Sequence, residues 1–274
     1  MSKEINKVAE KNKKDWDSYS AKYLMHNHSD KILQPILDDP SKAFEKKVWS
    51  QIQNNVGNLK GKKICVPSSG DNLAVFAFAL LGAQVTSCDI ANNQLIAAKE
   101  VAKRIGVIDL IQFVCTDTMT LDGVETGIYD FVYTSNGVHV WINYLNSMYQ
   151  SIYRILKQDG IYILFDIHPF QRPFGDDMKV IKPYNHTGPF EDEYSIHFHW
   201  RMQDIINAII SSGIQVKNIE EFEDEKNYNQ PFWISGEDIV NGVTVSKEEV
   251  DRMYNWEYNP CIAIPTWLSI VGKK

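Results

Sequence analysis

From Lys62 onward, short apolar runs alternate with longer segments whose apolar residues recur every three or four positions, the pattern of strands alternating with helices. The runs predict strands over Ile64–Val66, Val85–Cys88, Ile111–Cys115, Tyr129–Thr134 and Ile161–Phe165, the last entered through a turn at Gly160. Between them, a buried helix runs to about Leu81 with Gly82 as its stop. A second spans Asn92–Ile105, with Leu95, Ala98, Ala102 and Ile105 on one face. A third spans Tyr144–Leu156, with Leu145, Met148, Tyr149, Ile152 and Leu156 as its apolar stripe. Such alternation implies right-handed crossovers and a parallel sheet. A further helix over Trp200–Ser212, stopped at Gly213, leads into a strand at Ile214–Phe222, and a last strand is expected over Ile262–Val271. With no crossover helix apparent between them, these two read as an antiparallel pair closing the sheet. Residues 1–60 carry no strand pattern and read as an N-terminal helical cap. Residues 61–274 form the main domain, interrupted by insertions at about 168–200 and 223–260.

Composition narrows the class. A chain of 274 residues with 44% hydrophobic content fills a packed interior. No run of about 18 apolar residues occurs and the N-terminus is charged, so the expected location is cytoplasmic, with no membrane partner. The net charge of −7 gives no general attraction to phosphate backbones, so nucleic acid is not the expected partner. Cys65, Cys88 and Cys115 fall in or at the end of predicted strands, Cys261 lies near the last one, and no CxxC pair occurs, which predicts buried free thiols. His197 and His199 lack a third ligand at recognised spacing, so no metal is expected.

The segment Lys62–Asp89 reads strand, Gly turn, buried helix, strand, acid, the order of a nucleotide pocket in an open parallel sheet. Asp89 follows Gly70 at close to the spacing of about 20 expected of an acid that takes a ribose hydroxyl pair. An Asp at a helix N-terminus is the plainer explanation of the same residue. The turn resembles motif I of the class I S-adenosylmethionine-dependent methyltransferases, with Val66 where that family has an acid and Ser68, Gly70 and Asn72 at its three Gly positions. Ser68 is small enough for close backbone approach, and Asn72 tolerates left-handed φ.

The resemblance implies a Rossmann-like α/β fold: a seven-stranded, mostly parallel sheet with an antiparallel last strand and helices on both faces. It implies S-adenosyl-L-methionine as cofactor. Ser68, Ser69 and Gly70 would form its cradle, Asp89 and Ile90 would meet the ribose, and Thr116, Asp117 and Thr118 the adenine. Ser135 and Asn136 in TSNGVHVW, with Thr134 and Val138 beside them, would frame the methyl donor. DWDSYSAKY resembles a segment that closes over the cofactor in small-molecule methyltransferases, with Trp16, Asp17, Ser20 and Tyr23 in its pattern and Tyr19 within reach of the donor. An ordinary amphipathic helix explains it equally.

Methyl transfer needs a base only where the acceptor loses a proton. Candidates are His139, His168 and His199, with Asp166 and His197 nearby. Aromatic residues in the N-terminal, 168–200 and 223–260 segments favour a small, partly apolar or aromatic acceptor, and the last segment could also face a second copy in a homodimer. The alternatives are a methyltransferase-like protein that binds the cofactor without turnover, and a nicotinamide-dependent oxidoreductase.

Overall fold

The computed structural model describes residues 7–18, 28–70, 72–175, 177–223, 226, 228, 234, 238 and 241–274. In chain order the elements are helix α1 (7–18), α2 (Asp30–Asp38), α3 (Lys46–Asn55), β1 (Lys63–Val66), α4 (Leu73–Leu80), β2 (Gln84–Asp89), α5 (Asn92–Arg104) and β3 (Ile111–Cys115). There follow β4 (Tyr129–Ser135), α6 (Leu145–Ile155), β5 (Leu156–Ile167), β6 (Phe190–Glu191), β7 (Ile196–His197), α7 (Met202–Ser211), β8 (Gln215–Phe222), α8 (Lys247–Met253) and β9 (Trp267–Lys273). The main sheet has seven strands in the order β3-β2-β1-β4-β5-β9-β8. The first five are parallel, while β9 runs antiparallel between β5 and β8.

Strand periodicity sorts the core into two layers. Ile64 and Val66 of β1, Phe131 and Tyr133 of β4, and Ile163 and Phe165 of β5 pack with α2, α3, α4 and α5. Their alternates Cys65, Val132, Tyr162 and Leu164 pack with α6 and α7 on the other face. The stripe Leu145, Met148, Tyr149 and Ile152 of α6 is buried, as its spacing requires, whereas α4 is buried along Ala74–Ala79 and is accordingly apolar all round.

Three expectations change. Gly160 lies inside β5: Leu156 pairs with Tyr129 and Ile161 with Phe131, so residues 157–160 bulge out of an otherwise continuous strand. The last strand begins at Trp267 because residues Pro260–Ala263 form a 3-10 turn capped by Asn259. The thiols are not uniformly buried: Cys65 and Cys88 are, but Cys115 is exposed at the end of edge strand β3 and Cys261 is half-buried. No described helix is long and apolar enough to cross a membrane.

Gly272 of β9 marks the tightest contact between the closing strands and α7's trailing turn. A Cβ there would sit 2.5 Å from Cγ2 of the buried, β-branched Ile214. Gly272→Ala is therefore expected to cost about 1–3 kcal/mol of stability, the usual cost of overpacking, read as a lower urea midpoint at unchanged slope.

Candidate active site

A cavity of about 350 Å³ opens beyond the carboxyl ends of five parallel strands. Its floor is set out strand by strand: Asp117–Met119 after β3, Asp89 and Ile90 from β2, Ser68–Gly70 after β1, Ser135–Gly137 from β4, and Ile167 and Arg172 from β5 onward. Its cover comes from Ala9, Asn12 and Trp16 of α1 and from Val138 and Val140–Ile142 after β4.

The turn after β1 is held by side chains as much as by glycine. Ser68 and Gly70 both have positive φ, 48° and 46°, and Ser68 Oγ shares a 2.7 Å hydrogen bond with Thr118 Oγ1. The Ser69 N–H donates to the Cys88 carbonyl, and its hydroxyl pairs with that of Ser87 at 2.7 Å. Asn72 does not use the left-handed conformation that it tolerates. At φ −60° and ψ 118° it is the N-cap of α4, its Oδ1 accepting from the Ala74 N–H while its Nδ2 donates to Ser135 Oγ at 2.8 Å.

Asp89 organises the centre. Its Oδ2 accepts from the Gly70 N–H at 2.7 Å and its Oδ1 from the Ala91 N–H at 2.8 Å, which fixes the carboxylate. Beside it, Gln94 is only 2% exposed, and both its amide N and O are buried with no hydrogen-bond partner among the described residues while the residue lines the cavity. A Cβ on Gly70 would lie 3.8 Å from Asp89 Oδ2 and 3.9 Å from Gln94 Oε1, so the glycine keeps that corner open. An orphaned amide and a pinned carboxylate facing one gap suit a polyhydroxylated ligand such as a ribose. Burial pushes the Asp117 carboxyl above its ordinary value, against the lowering effect of the Met119 N–H on its Oδ1.

Of the residues singled out in the sequence, Ser68, Ser69, Gly70, Asp89, Ile90, Asp117, Thr118, Ser135 and Asn136 all line this one cavity. Thr116 does not: it is buried, with its N–H on the Asp89 carbonyl. Thr134 turns into the opposite layer, where its hydroxyl pairs with Tyr162 at 2.6 Å. Tyr19, with Ser20 and Tyr23, lies outside the described residues. Trp16 meets Trp141 edge to face at 5.2 Å, and Asp17 accepts from the Asn93 N–H, so α1 lies against the head of α5. Asn12 clamps the same helix to β7 by accepting from the Ile196 N–H and donating to its carbonyl.

The three histidines proposed as bases lie outside the cavity lining. His139 is buried with both ring nitrogens engaged, Nδ1 on Asp166 Oδ2 at 2.9 Å and Nε2 with the Tyr149 hydroxyl at 2.7 Å. His168, fully buried, accepts at Nδ1 from the Phe170 N–H and is 2.7 Å from Glu221 at Nε2. Burial pushes the His199 imidazole down to about 3, helped by Arg172, Lys182 and its neighbouring histidines, which makes it a poor proton acceptor near neutral pH. Each carboxyl-edge position was legible, but the direction each ring faces was not. Gln94 and Arg172 gave no sequence signal, one being a polar helix residue and the other a lone Arg in a loop.

Comparison with known proteins locates this arrangement. A family model described as a methyltransferase domain matches residues 67–164. No curated protein matches the chain. Among solved structures, an S-adenosylmethionine-dependent methyltransferase from Mesorhizobium loti is similar at 17% identity and a TM-score of 0.60, covering 87% of this chain and 100% of that one. The geranyl diphosphate C-methyltransferase of Streptomyces coelicolor A3(2) is similar at 12% identity and a TM-score of 0.55, covering 82% and 77%. The [4+2]-cyclase SpnF is similar at 14% identity and 0.58, covering 83% and 80%. These likenesses establish the fold, which evidently hosts more than one chemistry. The family match is more specific, because its span holds the β1 turn, both acids and the β4 loop of the cavity: over residues 67–164 the chain is similar to a methyltransferase domain.

Proposed function

We propose that this protein transfers the methyl group of S-adenosylmethionine to a small, partly apolar or aromatic molecule. The observation that carries this reading is the division of the cavity. One end is polar, with Ser68–Gly70, Asp89, Gln94 and Asp117. The other is walled by Trp16, Val138, Val140, Trp141, Ile142 and Ile167.

Bound, the cofactor supplies an electrophilic methyl on a sulfonium, open to in-line displacement. Asp89 and Gln94 would hold the ribose hydroxyls, Asp117 the adenine amino group, and the Ser68–Gly70 turn would admit the chain that joins them to the sulfonium. A carboxylate accepts from an exocyclic amine, which matches Asp117 to an adenine edge. Ser135 and Asn136 mark the passage between the two ends, and the Trp16–Trp141 pair with Ile142 and Ile167 excludes water and orients the acceptor. Orientation alone supplies roughly 7–11 kcal/mol in the best cases, so positioning can carry much of the rate. No histidine lines the cavity among the described residues, which favours an acceptor that attacks through a lone pair already available.

Calorimetric titration of the full chain with S-adenosylmethionine and S-adenosylhomocysteine tests the cofactor assignment. Micromolar binding of both is expected, and failure of either to bind at millimolar concentration would overturn it. Identification of copurified small molecules by mass spectrometry then supplies acceptors for assay. Cofactor binding with no methylation of any copurified compound would favour a binding protein without turnover.

A further inference from the structure

The β5 end of the cavity carries positive charge that no described residue meets with a hydrogen bond. Arg172 lines the cavity with its side chain 21% exposed, and its nearest carboxylate oxygen, Asp166 Oδ1, stands 4.0 Å from Nη2. That is an ion-pair distance and too long for a hydrogen bond. Among the described residues the guanidinium makes no hydrogen bond, although it presents five donors. Asp166 is meanwhile committed elsewhere, accepting from His139 Nδ1 at 2.9 Å and from the Ile167 N–H at 2.7 Å.

The surroundings add a lysine and three imidazoles. Lys182, His186, His197 and His199 gather around the Phe190 ring, with Lys182 Nζ 5.3 Å from its centroid and the His199 ring at 4.7 Å. His199 Nδ1 is buried with no hydrogen-bond partner among the described residues. After burial itself, Arg172 is the leading influence that pushes the His199 and Lys182 side chains below their ordinary values, so the groups lie within electrostatic reach of one another. The acids facing this cluster are Asp166, already bound, and Asp192, which caps its own turn through Tyr194 and Ser195. In a chain of net charge −7, a half-buried arginine inside a cavity, with Lys182 and hydrogen-bonding imidazoles close by, is a recognition device for an anion.

We infer that the acceptor carries an oxyanion group, a carboxylate or a phosphate, held by Arg172 at the β5 end of the cavity while the apolar wall takes the rest of the molecule. The inference rests on the methyltransferase reading for the identity of the site, but the anion contact can be tested apart from it. The probes are phenylacetate, phenyl phosphate and the neutral phenylacetamide, titrated calorimetrically into the full chain with and without saturating S-adenosylhomocysteine. At least one anion is expected to bind tenfold or more tightly than the amide, and which one separates carboxylate from phosphate. Arg172→Met should abolish that preference and leave affinity for S-adenosylhomocysteine within twofold, while Arg172→Lys, keeping the charge without the planar fork, should retain a weakened preference. Equal binding of amide and anions, no binding of any probe, or a preference that survives Arg172→Met would overturn the inference. So would a tenfold loss of S-adenosylhomocysteine affinity in Arg172→Met, which would assign the guanidinium to the cofactor's own carboxylate. Arg172-dependent anion binding by a protein that fails to bind S-adenosylhomocysteine would count against the methyltransferase reading and leave the anion site standing.

Discussion

Asp89→Ala is expected to weaken S-adenosylhomocysteine binding by about 3 kcal/mol, or roughly 140-fold, the scale of hydrogen bonds to a charged group. Two losses combine. The ribose loses its carboxylate acceptor, and the Gly70 and Ala91 N–H groups lose the oxygens that hold them at 2.7 and 2.8 Å. A ligand-side control separates them. The 2′,3′-dideoxy analogue of S-adenosylhomocysteine should bind the unaltered protein much more weakly than the parent, yet lose little more on Asp89→Ala. If the analogue and the parent fall by equal factors in the variant, Asp89 acts only through the turn and not on the ribose. Affinity for the parent within threefold of the unaltered protein would place the nucleoside elsewhere. Gln94→Leu should produce a smaller loss with no loss of stability, because its amide groups have no hydrogen-bond partner among the described residues to forfeit.

Much of this was legible in the chain because two periods are hard to confuse. Apolar runs bounded by Gly gave the five parallel strands, and the stripe on α6 gave its buried face, because a sheet covered on both sides and a helix packed on one side each demand those patterns. Asp89 and Gly70 were readable together because a strand's end and the next turn are brought into contact by the parallel register itself, Val66 beside Ser87. Asn72 was read from residue preference alone, as a residue that tolerates left-handed φ. Its competing role, capping α4 and tying it to Ser135 across 63 positions, depends on a contact that no local pattern encodes. The histidines failed for the same reason. Strand period tells which face a residue in β4 takes, but His139 lies after the left-handed pair Asn136 and Gly137, where that period no longer applies. Arg172 and Gln94 became visible only through what they lack among the described residues, a hydrogen-bond partner for the side chain, which is a property of the assembled cavity.

His139→Leu is expected to cost about 3–5 kcal/mol of stability, the scale seen when one partner of a buried pair is removed and the other is left as an uncompensated charge. Asp166 is 1% exposed. Burial alone would raise its carboxyl, yet the hydrogen bond and charge of His139, then Arg172 and the Ile167 N–H, hold it below the ordinary 3.8. The Tyr149 phenol, buried and pushed well above its ordinary value, keeps its proton, and its hydroxyl pairs with His139 Nε2 at 2.7 Å while Nδ1 faces Asp166. The ring thus fastens the loop that carries Val138, Val140 and Trp141 to the end of β5 and to α6. Because the folded-state value of Asp166 lies below its unfolded one, its contribution is present above pH 3.8 and is lost as pH falls through the depressed value. Removing His139 reverses the sign. Burial then dominates, the folded-state value rises above the unfolded one, and stability relative to the unaltered protein should recover as pH falls toward that range. Adding Asp166→Asn removes the stranded charge, so the double variant should be more stable at neutral pH than His139→Leu alone. Urea titrations from pH 3 to 8 read both effects. A His139→Leu deficit that does not shrink toward acid, together with no recovery in the double variant, would mean that His139 stabilises the loop by packing and not by holding the Asp166 charge.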